Sequence, residues 1–209
     1  MSKSKPKYST QETPMEGAII ITPNIEGESR EFLFDLEGGH DEYKLMGLDV
    51  EFVQHSSEVY ARGVIEGLHF QRENTPAMIV AVTSGRALCV ATDLRPECST
   101  FGASHAVELT DENERMIYIP PYFSFGFMTL EPKTEVVCNY TGEYDPATQS
   151  SIIWDDEILA IDWQFERYDI DQKWLKISPK DKKAPAFRSY NQNTLWINRP
   201  KKSKYAMSY

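Results

Sequence analysis

The residues of this chain best suited to chemistry begin with a histidine among apolar neighbours, in the run Gly67-Leu68-His69-Phe70-Gln71. An imidazole changes charge near neutral pH, so His69 can take a proton from carbon where an adjacent carbonyl has made that proton acidic. The carbonyl does this by spreading the resulting charge into an enolate. Without further context a histidine in such a run serves structure more often than catalysis. The three cysteines, Cys89, Cys98 and Cys138, lie within or beside apolar runs and form no C-x-x-C pair, the pattern of free thiols in a reducing compartment.

The elements that must position these groups follow from composition and pattern. At 209 residues the chain can bury one sizeable core. Its formal net charge of -10 disfavours a polyanionic partner, so no nucleic acid is expected, although a few local cations could still hold one phosphorylated ligand. The N-terminal MSKSKPKYSTQETP is polar and basic with no apolar run behind it. Neither a signal peptide nor a membrane partner is expected, and the cytoplasm is the expected location.

From Gly17 onward, short β-branched and aromatic runs follow one another between Gly, Pro, Asn and Asp. They include AIIITP, REFLFDL, AMIVAVTSG, RALCVATDL, ASHAVELT, RMIYIPP, SFGFMTL and TEVVCNY. An all-β sandwich or closed barrel accounts for this best. TSGRALCVATD reads as a hairpin turning at Ser84-Gly85. In TEVVCNY a period of two places Val136, Cys138 and Tyr140 on one face, with Val137 and Asn139 on the other. One short helix is expected around Gly39 to Met46. Residues 1–14 read as a flexible N-terminal arm, 15–185 as the folded domain and 186–209 as a C-terminal tail.

The motifs FVQHSS, GLHFQ, VATDLRPECSTFG, VELTDENERMIYIPP, GFMTL, TGEYDP and IIWDDEILAIDW, in this order, resemble the dTDP-4-dehydrorhamnose 3,5-epimerase family. The resemblance runs from about Ile19 to Trp163, with a weaker echo to Pro185. It implies a cupin double-stranded β-helix, or jelly roll, with short peripheral helices. The implied activity is epimerisation of a nucleotide-linked 4-keto-6-deoxy sugar by proton abstraction at C3, C5 or both. The implied base is His69, oriented by Asp181 of ISPKDKKAP, a carboxylate that would fix the imidazole tautomer. The implied binding residues for the nucleotide-diphosphate sugar are Arg30, Phe32 and Asp35 in SREFLFD, Gln54 in FVQHSS, Gln71 in GLHFQ and Tyr144 in TGEYDP. An arginine suits phosphate oxygens, while the plain reading of Arg30 is a solvated loop charge. A homodimer is implied, with Arg30 reaching the partner's site. First-row metal sites of this fold generally need two closely spaced histidines, a carboxylate and a further histidine. The four histidines here, His40, His55, His69 and His105, include no H-x-H pair, so no metal and no other cofactor is expected.

Four positions depart from the family pattern. The lysine implied to stabilise the enolate oxygen falls on Met78, and the tyrosine implied as the opposite-face acid falls on Cys138, which reads either as a proton donor or as a buried apolar residue. The histidine before the GF motif is Phe125, and the arginine before GLHF is Glu66. Three readings follow: an epimerase with altered catalytic residues, a catalytically degenerate nucleotide-sugar-binding homologue, and a related keto-sugar isomerase.

Overall fold

The computed structural model describes residues 8–24, 43–44 and 47–190. Twelve strands form in chain order: β1 (Tyr8–Glu12), β2 (Ile19–Pro23), β3 (Gln54–Tyr60), β4 (Val64–Gln71), β5 (Met78–Ser84) and β6 (Arg86–Asp93), followed by β7 (Ser104–Thr110), β8 (Met116–Ile119), β9 (Phe123–Thr129), β10 (Thr134–Tyr140), β11 (Gln149–Ser151) and β12 (Lys176–Ile177). They make two sheets, one ordered β1-β2-β8-β5-β10-β3 and the other β11-β4-β9-β6-β7, with β12 added beside β4. Every pairing is antiparallel except β12 with β4. The all-β jelly-roll expectation holds, and the helical content among the described residues of the C-terminal part is three short 3₁₀ turns.

Strands covered on both faces explain why the apolar runs are nearly continuous. Met78, Val80 and Val82 of β5 and Ala87, Cys89 and Ala91 of β6 point between the sheets, where Phe123, Phe125 and Phe127 of β9 meet them. The alternate residues face outward into two further apolar layers. Ile79 and Ala81 lie beneath Leu48, Val50 and Phe52. Leu88 and Val90 pack with Leu159, Trp163 and Phe187 of the returning C-terminal segment.

The structure corrects the hairpin expected at Ser84-Gly85. There β5 ends in one sheet, β6 begins in the other, and the two are not paired. Alternation does not distinguish a hairpin from a crossing between sheets, since both keep one apolar face inward. Gly85 has φ +73°, and a Cβ there would lie 2.8 Å from the Thr134 hydroxyl, so close packing against β10 shapes this corner.

Ordered structure extends beyond both expected limits of the domain. Within the expected arm, Tyr8–Glu12 pairs with β2, which satisfies the backbone groups on that side without an apolar contribution from most of its side chains. At the other end Phe187 is buried, and Tyr190 packs edge-on against Phe70 at 5.5 Å while bonding to Ser150 at 2.7 Å. The strand expected at REFLFDL lies outside the described residues, as do the greater part of the expected helix from Gly39 to Met46 and the tail from 191. No helix among the described residues is long and apolar enough to cross a membrane.

Candidate active site

The chain places His69 in a cavity of about 380 Å³ between the sheets. A regular strand would turn residues three apart to opposite faces. The pairing of β4 with β9 is interrupted between Glu66 and His69, and both side chains reach the cavity. Glycines make this irregularity sterically possible. Gly67 has φ +109°, and a Cβ there would lie 2.6 Å from Gly126 Cα, while a Cβ on Gly126 would lie 2.7 Å from the Glu66 carbonyl oxygen. Leu68 faces the opposite apolar layer.

Asp181 arrives from far along the chain. After Trp154 the segment folds back under β4, with Ile153 N–H donating to Pro185 O at 3.0 Å and β12 pairing in parallel with the start of β4. Buried Asp156 anchors the return: its Oδ1 accepts from Ile158 and Leu159 N–H at 2.9 and 3.0 Å, and its Oδ2 accepts from Phe187 N–H at 2.7 Å. The 3₁₀ turn Asp181–Lys183 then presents Asp181 to His69, Nε2 to Oδ1 at 2.6 Å. The Asp181 side chain is only 3% exposed. Burial pushes its carboxyl up, but the hydrogen bond and charge of His69, the Ser178 hydroxyl and the Gly67 N–H outweigh burial and hold it below the usual range. An ionised carboxylate accepts, so Nε2 carries a hydrogen, and in the neutral imidazole the lone pair is left on Nδ1. Nδ1 lies 3.8 Å from Glu66 Oε1.

Cys138 also lines the cavity, on the opposing sheet, with Val136 and Tyr140 on the same strand face as the period of two requires. Burial pushes its thiol up to about 12, the nearby charges of Glu66 and Glu58 adding to the effect and the Tyr140 and Ser56 hydroxyls opposing it. Burial likewise raises Tyr140, and the neighbouring Cys138 adds to the effect. Met78 and Phe125 complete the cavity wall with Glu66, so these three and Cys138, the four positions singled out in the sequence, surround one space.

Gln54, Gln71 and Tyr144 meet at the mouth. Gln54 Oε1 accepts from Tyr144 N–H and Gln71 Oε1 from Asp145 N–H, both at 2.6 Å, so the two amides hold the TGEYDP turn in place. The Tyr144 ring is half exposed, with its hydroxyl donating to Gln149 at 2.7 Å. Arg30, Phe32 and Asp35 lie outside the described residues. Among the described residues no three His, Cys, Asp or Glu side chains converge as metal ligands would.

The sequence reading missed Ser56, Glu58 and Tyr60, which line the cavity from β3 beside Gln54. The signal was their alternation in QHSSEVY, a polar stripe at a period of two facing the interior.

Comparisons with known proteins show the family. The sequence profile described as dTDP-4-dehydrorhamnose 3,5-epimerase matches residues 12–189. The dTDP-4-dehydrorhamnose 3,5-epimerase of Methanothermobacter thermautotrophicus is 38% identical over 81% of this chain and 89% of its own length. That of Salmonella typhimurium is 35% identical over 83% of this chain and 92% of its own. Among solved structures, the Legionella pneumophila dTDP-6-deoxy-D-glucose-3,5-epimerase in complex with dTDP-4-keto-L-rhamnose superposes with a TM-score of 0.80 at 31% identity, covering 90% of this chain and 97% of that one. With its jelly roll, its His69–Asp181 pair and these likenesses along most of its length, this chain belongs to the dTDP-4-dehydrorhamnose 3,5-epimerase family.

Proposed function

We propose that this protein epimerises a dTDP-linked 4-keto-6-deoxy sugar, with His69 as the base. The observation that carries the reading is the 2.6 Å contact of His69 Nε2 with buried Asp181, which leaves Nδ1 facing the cavity. Nδ1 takes the proton from C3 or C5, beside the C4 ketone, and Asp181 stabilises the imidazolium that forms. Inversion needs a proton returned from the other face. The opposing sheet offers Cys138, Tyr140 and Ser56, which line the same cavity, for that step.

Gln71, Gln54 and Tyr144 bind the substrate at the mouth, the exposed ring of Tyr144 offering a flat apolar face to the nucleotide base. Arg30, Phe32 and Asp35 complete the nucleotide site in this reading, partly across a homodimer. Light scattering on the purified chain tests the dimer, and a monomeric mass under assay conditions would overturn it.

The catalytic reading is tested in heavy water with dTDP-4-keto-6-deoxyglucose. Deuterium should enter C3 or C5 with the wild-type protein and not with His69→Ala. Cys138→Ala should keep the exchange but lose the epimeric product if the thiol delivers the second proton. One observation favours a second reading as a degenerate nucleotide-sugar binder: the cavity wall carries no lysine or arginine among the described residues. Saturable calorimetric binding of the same nucleotide without exchange would select that reading.

A further inference from the structure

Enolisation needs more than a base, because negative charge grows on the ketone oxygen as the carbon-bound proton leaves. No described lysine or arginine lines the cavity, and Met78 offers that oxygen only a thioether. The side chain beside the working nitrogen of His69 is Glu66, its Oε1 3.8 Å from Nδ1. That separation is too long for a direct hydrogen bond and leaves both groups free to address one substrate.

The surroundings of Glu66 favour a neutral acid. Tyr60 donates its hydroxyl hydrogen to Glu58 Oε2 at 2.9 Å and shares the cavity wall with Glu66. The titratable groups facing Glu66 are Tyr60 and Glu58 on β3, His69 on β4, Asp181 on its 3₁₀ turn, and Cys138 and Tyr140 on β10. Burial, together with the charges of Glu58 and Asp181, raises the Glu66 carboxyl against the opposing effects of Tyr60 and His69.

We propose that Glu66 is the catalytic acid of enolisation, donating its carboxyl proton to the ketone oxygen as His69 removes the adjacent carbon-bound proton. The proposal rests on the epimerase reading and adds the group that activates its substrate. The C–H electron pair becomes the new carbon–carbon π bond, and the carbonyl π pair closes onto oxygen as the O–H bond forms. Glu66 is left as carboxylate beside the His69 imidazolium, so the site's net charge does not change. Return of the enol proton to Glu66, with delivery of a proton to carbon, regenerates the ketone. A carboxylic acid held neutral thereby serves where a cation would otherwise stand.

The test is the rate of deuterium entry from heavy water into dTDP-4-keto-6-deoxyglucose, followed against pH for the wild-type protein, Glu66→Gln and Tyr60→Phe. Glu66→Gln keeps the shape and one hydrogen-bond donor but has no transferable acid proton. Its exchange should fall by about a hundred- to ten-thousandfold, the scale for losing a positioned general acid. The wild-type rate should also decline at alkaline pH as Glu66 ionises. Glu66→Gln should lack that decline, and Tyr60→Phe should shift its midpoint. Difference infrared spectra of wild-type against Glu66→Gln should show a protonated carboxyl that disappears over the same pH range. Wild-type exchange that persists in Glu66→Gln with the same rate and alkaline limb overturns this proposal and leaves the epimerase reading intact. Absence of exchange in the wild-type protein overturns both.

Discussion

His69 Nε2 lies 2.6 Å from Asp181 Oδ1, across 112 residues of chain. The contact commits one ring nitrogen to a carboxylate and leaves the other on the cavity side, the arrangement on which the proposed base rests. Asp181→Asn keeps the shape but offers an amide in place of the charge, so the tautomer is no longer enforced. Deuterium exchange should slow by up to about ten-thousandfold, as when a triad aspartate is amidated. Unchanged exchange would remove Asp181 from the mechanism.

The same pair shapes stability against pH. The folded-state pKa of Asp181 is depressed, so its contribution is present above the unfolded value, near 3.9, and is lost as pH falls through the lower folded value. Thermal melts should therefore show the wild-type protein losing stability more steeply than Asp181→Asn below about pH 4. Parallel curves would contradict this linkage.

Glu66 carries the opposite sign. Its folded pKa is raised, so the stability it contributes is present below the unfolded value and lost as pH rises through the folded one. Glu66→Gln should melt higher than wild type at neutral pH, with the gap closing towards pH 4. A gap that widens on acidification would show the carboxyl to be stabilised as an anion.

Gly126→Ala probes the irregular pairing of β4 with β9. The added Cβ would lie 2.7 Å from the Glu66 carbonyl oxygen and 2.9 Å from Leu68 Cδ2, and the strands would have to separate. Overpacking of this kind costs about 1–3 kcal/mol, which urea denaturation would detect. Because Glu66 and His69 owe their shared orientation to this site, exchange activity should fall further than stability explains.

Asp156→Ala tests the anchor of the returning segment. It leaves the N–H groups of Ile158, Leu159 and Phe187 without their carboxylate acceptor. Each buried donor left unpaired costs about 1–3 kcal/mol, and partial rehydration should hold the total to about 2–4 kcal/mol. Exchange should fall as well, since this segment delivers Asp181. Full activity at normal stability would separate the anchor from the site.

Apolar β-branched runs such as AMIVAVTSG and TEVVCNY made the β-sandwich legible, and Met78, Val80 and Val82 of β5 with Val136 and Cys138 of β10 form the faces between the sheets. The partner of β5 was not legible, because a period of two reports which faces are buried and is silent about which strand lies alongside. Asp156 was likewise hidden: its role depends on backbone N–H groups that only the folded return brings near.

The sequence by itself determined the fold class and the family, and it singled out the imidazole proposed as the base, because these rest on residue types and local periodicity. Only the tertiary structure decided that Glu66 stands beside that imidazole. Two residues three apart on a strand belong to opposite faces until an irregular pairing, permitted by Gly67 against Gly126, turns both inward. Such a turn depends on how closely two distant backbones approach, a property of packing that no local pattern encodes.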